Sequence, residues 1–149
     1  MEDNMLAIAP TGKDWFAQLR ARSSSQIINF WTPTPWNVKG LSRGDLLYFL
    51  LKAPIRKIGG YGHFIAHENM SASKAWKRFG TNNGARSLME LINRTSNYAQ
   101  KHSKHQQSRQ DPQIGCILLR ECIFLGDGQF YDPASYGFSF HKNVVKLKY

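Results

Sequence analysis

Residues Asn29 to Trp36 read N-F-W-T-P-T-P-W, two tryptophans and a phenylalanine set around two prolines and two threonines. Rings held on a stiff segment suit one chemistry above others, which is stacking on a flat ligand. Pro33 and Pro35 fix their own φ and push Thr32 and Thr34 into extended conformations. Neither proline can donate to a sheet ladder, so the segment is expected to be a strand running out into a rigid loop. The same rings have a plainer use, plugging one end of a core, and buried aromatics are commoner there than in ligand sites.

Reactive side chains are otherwise sparse. No phosphate-binding G-x-x-x-x-G-K occurs, and G-G-Y-G at Gly59 to Gly62 sits inside a strand pattern with no helix after it. His63 and His67 lie four apart, which on a regular strand puts them on one face, but no Glu stands between them as in H-E-x-x-H. His102 and His105 fall in a polar stretch and read as solvated, and Asp45 follows Gly44 as a turn residue. Cys116 and Cys122 sit in the apolar run I-G-C-I-L-L-R-E-C-I-F-L, without a second Cys or His pair at ligand spacing. They are expected to be reduced core thiols of a cytoplasmic protein. No catalytic residue, metal ligand or cofactor is expected, and the chain reads as a binding protein rather than an enzyme.

Composition narrows the partner. The chain has 149 residues, 42% of them hydrophobic, which suits one domain with one core. Lys and Arg number 20 against 10 Asp and Glu, a net charge of +10. A small domain this basic suits a polyanion, and nucleic acid is the commonest. The basic residues are scattered, with no polybasic cluster beside an amphipathic helix, so a membrane surface is the poorer fit. No apolar run approaches the ~20 residues of a membrane span, and M-E-D-N-M-L-A-I-A-P lacks the form of a secretory signal.

The elements that must position these residues alternate in type. A short strand at Leu6 to Ala9 precedes a helix in T-G-K-D-W-F-A-Q-L-R-A-R, with Thr11 as N-cap and Trp15 and Leu19 on its apolar side. Gln26 to Trp31 and Leu46 to Leu51 read as strands, the second apolar on both faces and therefore central. The three glycines of K-I-G-G-Y-G-H-F predict a bulge or a close backbone approach in a strand that pairs with Leu46 to Leu51. Ser73 to Phe79 reads as a short helix ended by Gly80. A second helix is expected from near Asn83, with Leu88, Leu91, Ile92, Thr95 and Tyr98 in helical register and Glu90–Arg94 as an i,i+4 pair. It runs into a polar, mobile loop at about 100–113. Ile114 to Leu125 returns to strand, and the tail F-S-F-H-K-N-V-V-K-L-K-Y alternates weakly. The pattern predicts an α+β fold: a curled, mostly antiparallel sheet or small pseudo-barrel flanked by helices.

Five phrases stand in an order that carries a resemblance: N-F-W-T-P at Asn29 to Pro33, R-G-D-L-L-Y-F-L-L-K at Arg43 to Lys52, K-I-G-G-Y-G-H-F at Lys57 to Phe64, A-W-K-R-F-G-T-N-N-G at Ala75 to Gly84, and I-G-C-I-L-L at Ile114 to Leu119. Together they resemble the N-terminal, EVE-like domain of predicted bacterial restriction endonucleases that carry a C-terminal HNH nuclease. EVE-like domains belong to the PUA-like superfamily, whose YTH, ASCH and SRA relatives read modified bases. The resemblance implies a reader of 5-methyl- or 5-hydroxymethylcytosine in duplex DNA that flips the base into an aromatic pocket. It implies pocket residues at Asn29, Phe30, Trp31, Gly60 and Tyr61, and Thr32, Trp36 and Phe49 are expected to join them. Lys39, Arg43, Arg56, Lys57 and Arg86 are expected to meet phosphates. An HNH nuclease needs a general-base His and metal ligands on a ββα hairpin, which this sequence lacks. Tyr149 falls where the family's linker to that nuclease would begin. The same rings and charge would also serve a PUA-like RNA-binding module, or an interaction domain whose aromatic loop is core.

The charge makes a prediction of its own. Duplex DNA binding by the chain should weaken with salt, log K falling by roughly 0.9 per decade of salt for each phosphate neutralised. Fluorescence anisotropy across a salt series measures the slope, and a flat titration rejects the electrostatic footprint.

Overall fold

Alternation decides how the strands sit. In the computed structural model, which describes residues 6–22, 26–35, 40–102, 110–133 and 144–146, Leu46–Leu51 alternates half-buried and buried residues along its whole length. Leu47, Phe49 and Leu51 therefore enter the core, while Leu46, Tyr48 and Leu50 lie on the opposite face. The elements in chain order are β1 (Leu6–Thr11), α1 (Lys13–Arg22), β2 (Ile28–Thr32), β3 (Leu46–Leu51), β4 (Ile58–Ser71), α2 (Ala72–Phe79), α3 (Leu88–His102), β5 (Gln113–Phe124) and β6 (Val144–Lys146). Short 3-10 turns stand at Gly80–Asn83 and Asp127–Gln129.

The described strands form one six-stranded sheet in the order β2-β5-β4-β3-β1-β6, with β2 and β6 at its open edges. Antiparallel pairs join β2 to β5, β5 to β4 and β4 to β3, and β1 runs parallel to both β3 and β6. The α+β class and the mostly antiparallel, curled sheet are as expected, with the parallel β1 making the sheet mixed. One face carries α1 over a core of Trp15, Phe16, Leu19, Phe30, Leu47, Phe49 and Ile117. The other carries α2, the 3-10 turn and α3, over Met70, Ile114, Cys116 and Leu118 beside β4 and β5.

The long β4–β5 pair carries the irregularities that the glycines predicted. Register shifts fall between Tyr61 and His63 and between Phe64 and Ala66. Gly60 lies so close to β5 that a methyl group there would overlap the Ile123 carbonyl oxygen. The second shift corrects the histidine reading. His63 pairs with Arg120 and His67 with Ile117, three positions apart on β5, so the two imidazoles lie on opposite faces.

Several boundaries move for physical reasons. Thr11 ends β1, its hydroxyl donating to the Ala9 carbonyl, and the first backbone bond of α1 runs from Phe16 N–H to the Gly12 carbonyl. Gly12, not Thr11, starts that helix. Ser71 caps α2 by accepting from Lys74 N–H. The helix expected from Asn83 begins at Leu88, because Asn83 closes a 3-10 turn and Gly84 follows at φ 69°. Asp45 is the turn residue expected, its carboxylate accepting from Ser42 N–H at 2.7 Å. The polar stretch is helical to His102 and resumes with Asp111, whose carboxylate takes Ser73 N–H at 2.9 Å and its hydroxyl at 2.7 Å. Residues 103–109 of the expected mobile loop lie outside the described residues.

Both cysteines are free thiols packed in apolar surroundings. Burial pushes Cys116 up to about 11, against a lowering hydrogen bond from Asn29, and pushes Cys122 up to about 12.

Two outcomes follow from this packing. Gly60→Ala should cost about 1–3 kcal/mol or more through overpacking against β5. Gly128→Ala, where a methyl meets nothing within 4 Å, should stay within about 0.5 kcal/mol of wild type. Urea unfolding of both variants measures the difference. At pH 8 a thiol-specific disulfide reagent should leave both cysteines unmodified until denaturant is added, since the reactive thiolate is suppressed. The raised values favour the protonated thiols in the folded state. This contribution is whole below about pH 8.5, the unfolded thiol's own range, and fades as pH climbs further.

Candidate functional site

A cavity of about 470 Å³ opens where the start of α1, the β2 edge, the middle of α3 and the turn after β3 meet. It is lined by Trp15, Phe30 and Trp31, of which Trp31 is half-buried while Trp15 and Phe30 belong to the core, and its charged groups are Lys13, Lys52, Arg94 and Asp14. Gly12, Ala53 and Asn97 complete the lining. The volume falls in the ordinary range of small-ligand sites, roughly 300–1,000 Å³. Flat apolar walls with three cations to one carboxylate suit a planar ligand that carries negative charge. The first turn of α1 forms part of the wall, and a helix N-terminus adds to the preference for an anion.

Each wall is anchored from behind. The Trp15 indole N–H donates to the Asn29 carbonyl at 3.1 Å, and its ring lies edge-on to Phe30 and Phe49 at 5.0 and 5.2 Å. Trp31 donates its indole N–H to the Asn83 carbonyl at 2.9 Å. Asn83 is fully buried; its amide donates to the Ala75 and Gly80 carbonyls, and its oxygen accepts from Asn29 at 2.8 Å. The Asn29 amide also reaches the Cys116 sulfur at 3.3 Å, while its own oxygen is buried and has no partner among the described residues.

Arg94 reaches the cavity from α3 because two acceptors hold it. It donates to the Gly84 carbonyl at 2.7 Å and to Glu90 at 2.5 Å. Glu90 also accepts from Gln18 of α1 at 2.9 Å. The Gln18 amide first, then Arg94, hold the Glu90 carboxyl below its usual range. The clamp between α1 and α3 is therefore whole at neutral pH and is lost as pH falls through the carboxylate range.

The residues named from sequence divide. Phe30 and Trp31 meet at the cavity. Asn29 and Thr32 are buried beside them, Asn29 in the amide network and Thr32 with its hydroxyl donating to the Thr34 carbonyl at 2.8 Å. Phe49 is fully enclosed in the aromatic core, stacked at 5.5 Å on Phe124, and Gly60 is pressed against β5. Tyr61 pairs with Tyr48 on the opposite face of the sheet from Phe49. Of the expected phosphate contacts, Arg43, Arg56 and Lys57 are exposed at the ends of the β3–β4 pair, and Arg86 is exposed 4.0 Å from Glu90. Trp36 and Lys39 lie outside the described residues. Lys13, Trp15, Lys52, Arg94 and Asn97 were not anticipated. The Gly12–Lys13 step at a helix start was the one local signal for Lys13, and Trp15 read only as core.

Burial lowers His67, with Glu68 opposing, so this imidazole is neutral at physiological pH. Among the described residues, no three His, Cys, Asp or Glu side chains come together as a metal site, and no helix is long and apolar enough to cross a membrane.

No protein family signature matches the chain, and no curated protein sequence does. Solved structures do. The chain is similar to ASCH from Zymomonas mobilis at a TM-score of 0.50 and 11% identity, over 96% of this chain and 100% of that one. Two mutant forms of the same protein match at the same TM-score: one at 12% identity over 84% and 78% of the two chains, the other at 9% over 79% and 70%. At such identity the likeness is one of fold, an α+β architecture shared with that ASCH structure.

Proposed function

We propose that the chain is a nucleic-acid-binding module that holds a single base in the cavity between α1, β2 and α3. One observation carries the reading: the half-buried Trp31, with Trp15 and Phe30 behind it, lines a cavity together with Lys13, Lys52 and Arg94. Trp31 offers stacking surface and the cations offer phosphate contacts, the two ingredients of base capture. Walls anchored by buried hydrogen bonds lower the ordering cost on binding. A base in a duplex must leave the stack to enter such a site, after which its whole edge can be read.

The finer assignment rests on the sequence resemblance. In it the ligand is duplex DNA carrying 5-methyl- or 5-hydroxymethylcytosine, and the chain supplies recognition to an HNH nuclease, fused or separate, without cutting DNA itself. A structured RNA with an unpaired base is the competing ligand, since the same rings and cations would hold it.

Anisotropy of the chain with a duplex bearing one modified cytosine, the same duplex unmodified, and an RNA hairpin separates these readings at one salt concentration. The modified duplex should bind tightest. Trp31→Leu should remove that preference, stacking being worth about 1–3 kcal/mol per base, and leave the salt-dependent background. Melting of the variant is the control, because Trp31 also bonds Asn83. Lys13→Gln, at an exposed position, should weaken binding without lowering the melting temperature. Equal affinity for both duplexes rejects modified-base reading, and tighter RNA binding transfers the function to RNA. Metal-dependent DNA cleavage by the purified chain overturns the reader-only role.

A further inference from the structure

Outside the cavity, the sheet presents a second set of rings. Ile8, Tyr48, Tyr61 and Ile123 pair side by side across β1, β3, β4 and β5, on the face of β3 and β4 that turns away from Phe49. The Tyr48 and Tyr61 ring centres lie 5.6 Å apart, and the His63 ring stands 6.1 Å from Tyr61. These rings are half-exposed, and Ile123 is 44% exposed. None of them lines the cavity. Leu47, Phe49 and Gly60 fill the inner positions of the same strands, and Ile8, at the β1 end of the row, is buried.

Charge identifies the partner. Arg120 pairs with His63 in the neighbouring row and is exposed. Exposed Arg43 precedes β3 at one end of the rings, and exposed Arg56 and Lys57 stand in the turn at the other. Glu121 stands beside the rings, its oxygen 3.9 Å from His63 Nδ1. A line of rings with cations at both ends, on a chain of charge +10, complements an anionic polymer with flat faces to stack. Base pairs inside a duplex keep their faces covered. Unpaired bases do not.

We propose that this sheet face binds single-stranded nucleic acid, with bases stacked on Tyr48, Tyr61 and His63 and phosphates held by Arg120, Arg43 and the Arg56–Lys57 turn. The face is separate from the cavity, so it acts whether or not the cavity reads a modified base. β3 is six residues long, about 20 Å at ~3.3 Å per residue, which gives room for a short run of nucleotides. Stacking of this kind tolerates any base, since every base has a π-face.

Anisotropy with a labelled, unmodified oligothymidine and with an unmodified duplex of equal length tests the assignment on the full chain. Tyr61→Ala should weaken oligothymidine binding at least about fivefold, while Tyr61→Phe keeps it and neither changes duplex affinity. The same loss should appear in a Lys13→Gln background, which separates this face from the cavity. Ile123→Glu, at an exposed position, should weaken oligothymidine binding more than duplex binding and keeps the test valid should Tyr61→Ala not fold. Wild-type oligothymidine affinity in folded Tyr61→Ala, or in Ile123→Glu, overturns the proposal. So does an equal loss in Tyr61→Phe. A shift from dimer to monomer by sedimentation, with oligothymidine affinity intact, overturns it in favour of an interface between copies of the chain.

Discussion

Trp15 must do two things in one place, and much of the molecule is arranged around that requirement. Its indole N–H, buried with the rest of the ring, needs an acceptor, which the Asn29 carbonyl of β2 supplies. Its ring needs neighbours, which Phe30, Phe49 and Phe124 supply from three different strands. Gly84 provides the remaining clearance, since a methyl group there would overlap the indole. One side chain thus ties α1 to the edge strand, to the aromatic core and to the turn before α3. The cavity is what is left open beside it.

The polar groups behind the cavity are a separate constraint. Asn29, Asn83, Trp31 and Arg94 bond to one another or to the backbone of the turn between α2 and α3, and buried polar groups of this kind are costly when left unpaired. The turn is consequently held by side chains from β2 and α3, and α3 starts only after it. Bringing Arg94 near Lys13 and Lys52 concentrates positive charge, and Glu90 offsets part of it while Gln18 holds that carboxylate. A rigid wall and a charged mouth are made from different residues.

The bulged β4–β5 pair has a third effect. The shift between Phe64 and Ala66 changes which side chains of β4 reach which face, so His67 lies opposite His63, which shares the outer surface with Tyr61 and Tyr48. The glycines Gly60 and Gly62 let β5 and Cys122 come close on the inner side. The core is filled there by the neighbouring strands, and the tyrosines are left outside.

By itself the sequence determined the charge, the α+β class, most strands, the i,i+4 pair of α3 and the irregular glycine strand, because these follow from composition, local period and residues without a side chain. It also determined that Phe30 and Trp31 would belong to one ring-rich edge, since prolines so near leave the chain little freedom. Which residues would share the site was decided only by tertiary structure. Strand alternation could not say that β2 is an edge strand, that α1 begins beside it, or that Arg94 and Asn97 arrive from a helix more than 60 positions later in the chain. The grouping of Tyr61 with Trp31 failed for the same reason. Faces of a sheet are assigned by pairing partners and bulges, and those are fixed by contacts between segments far apart in sequence.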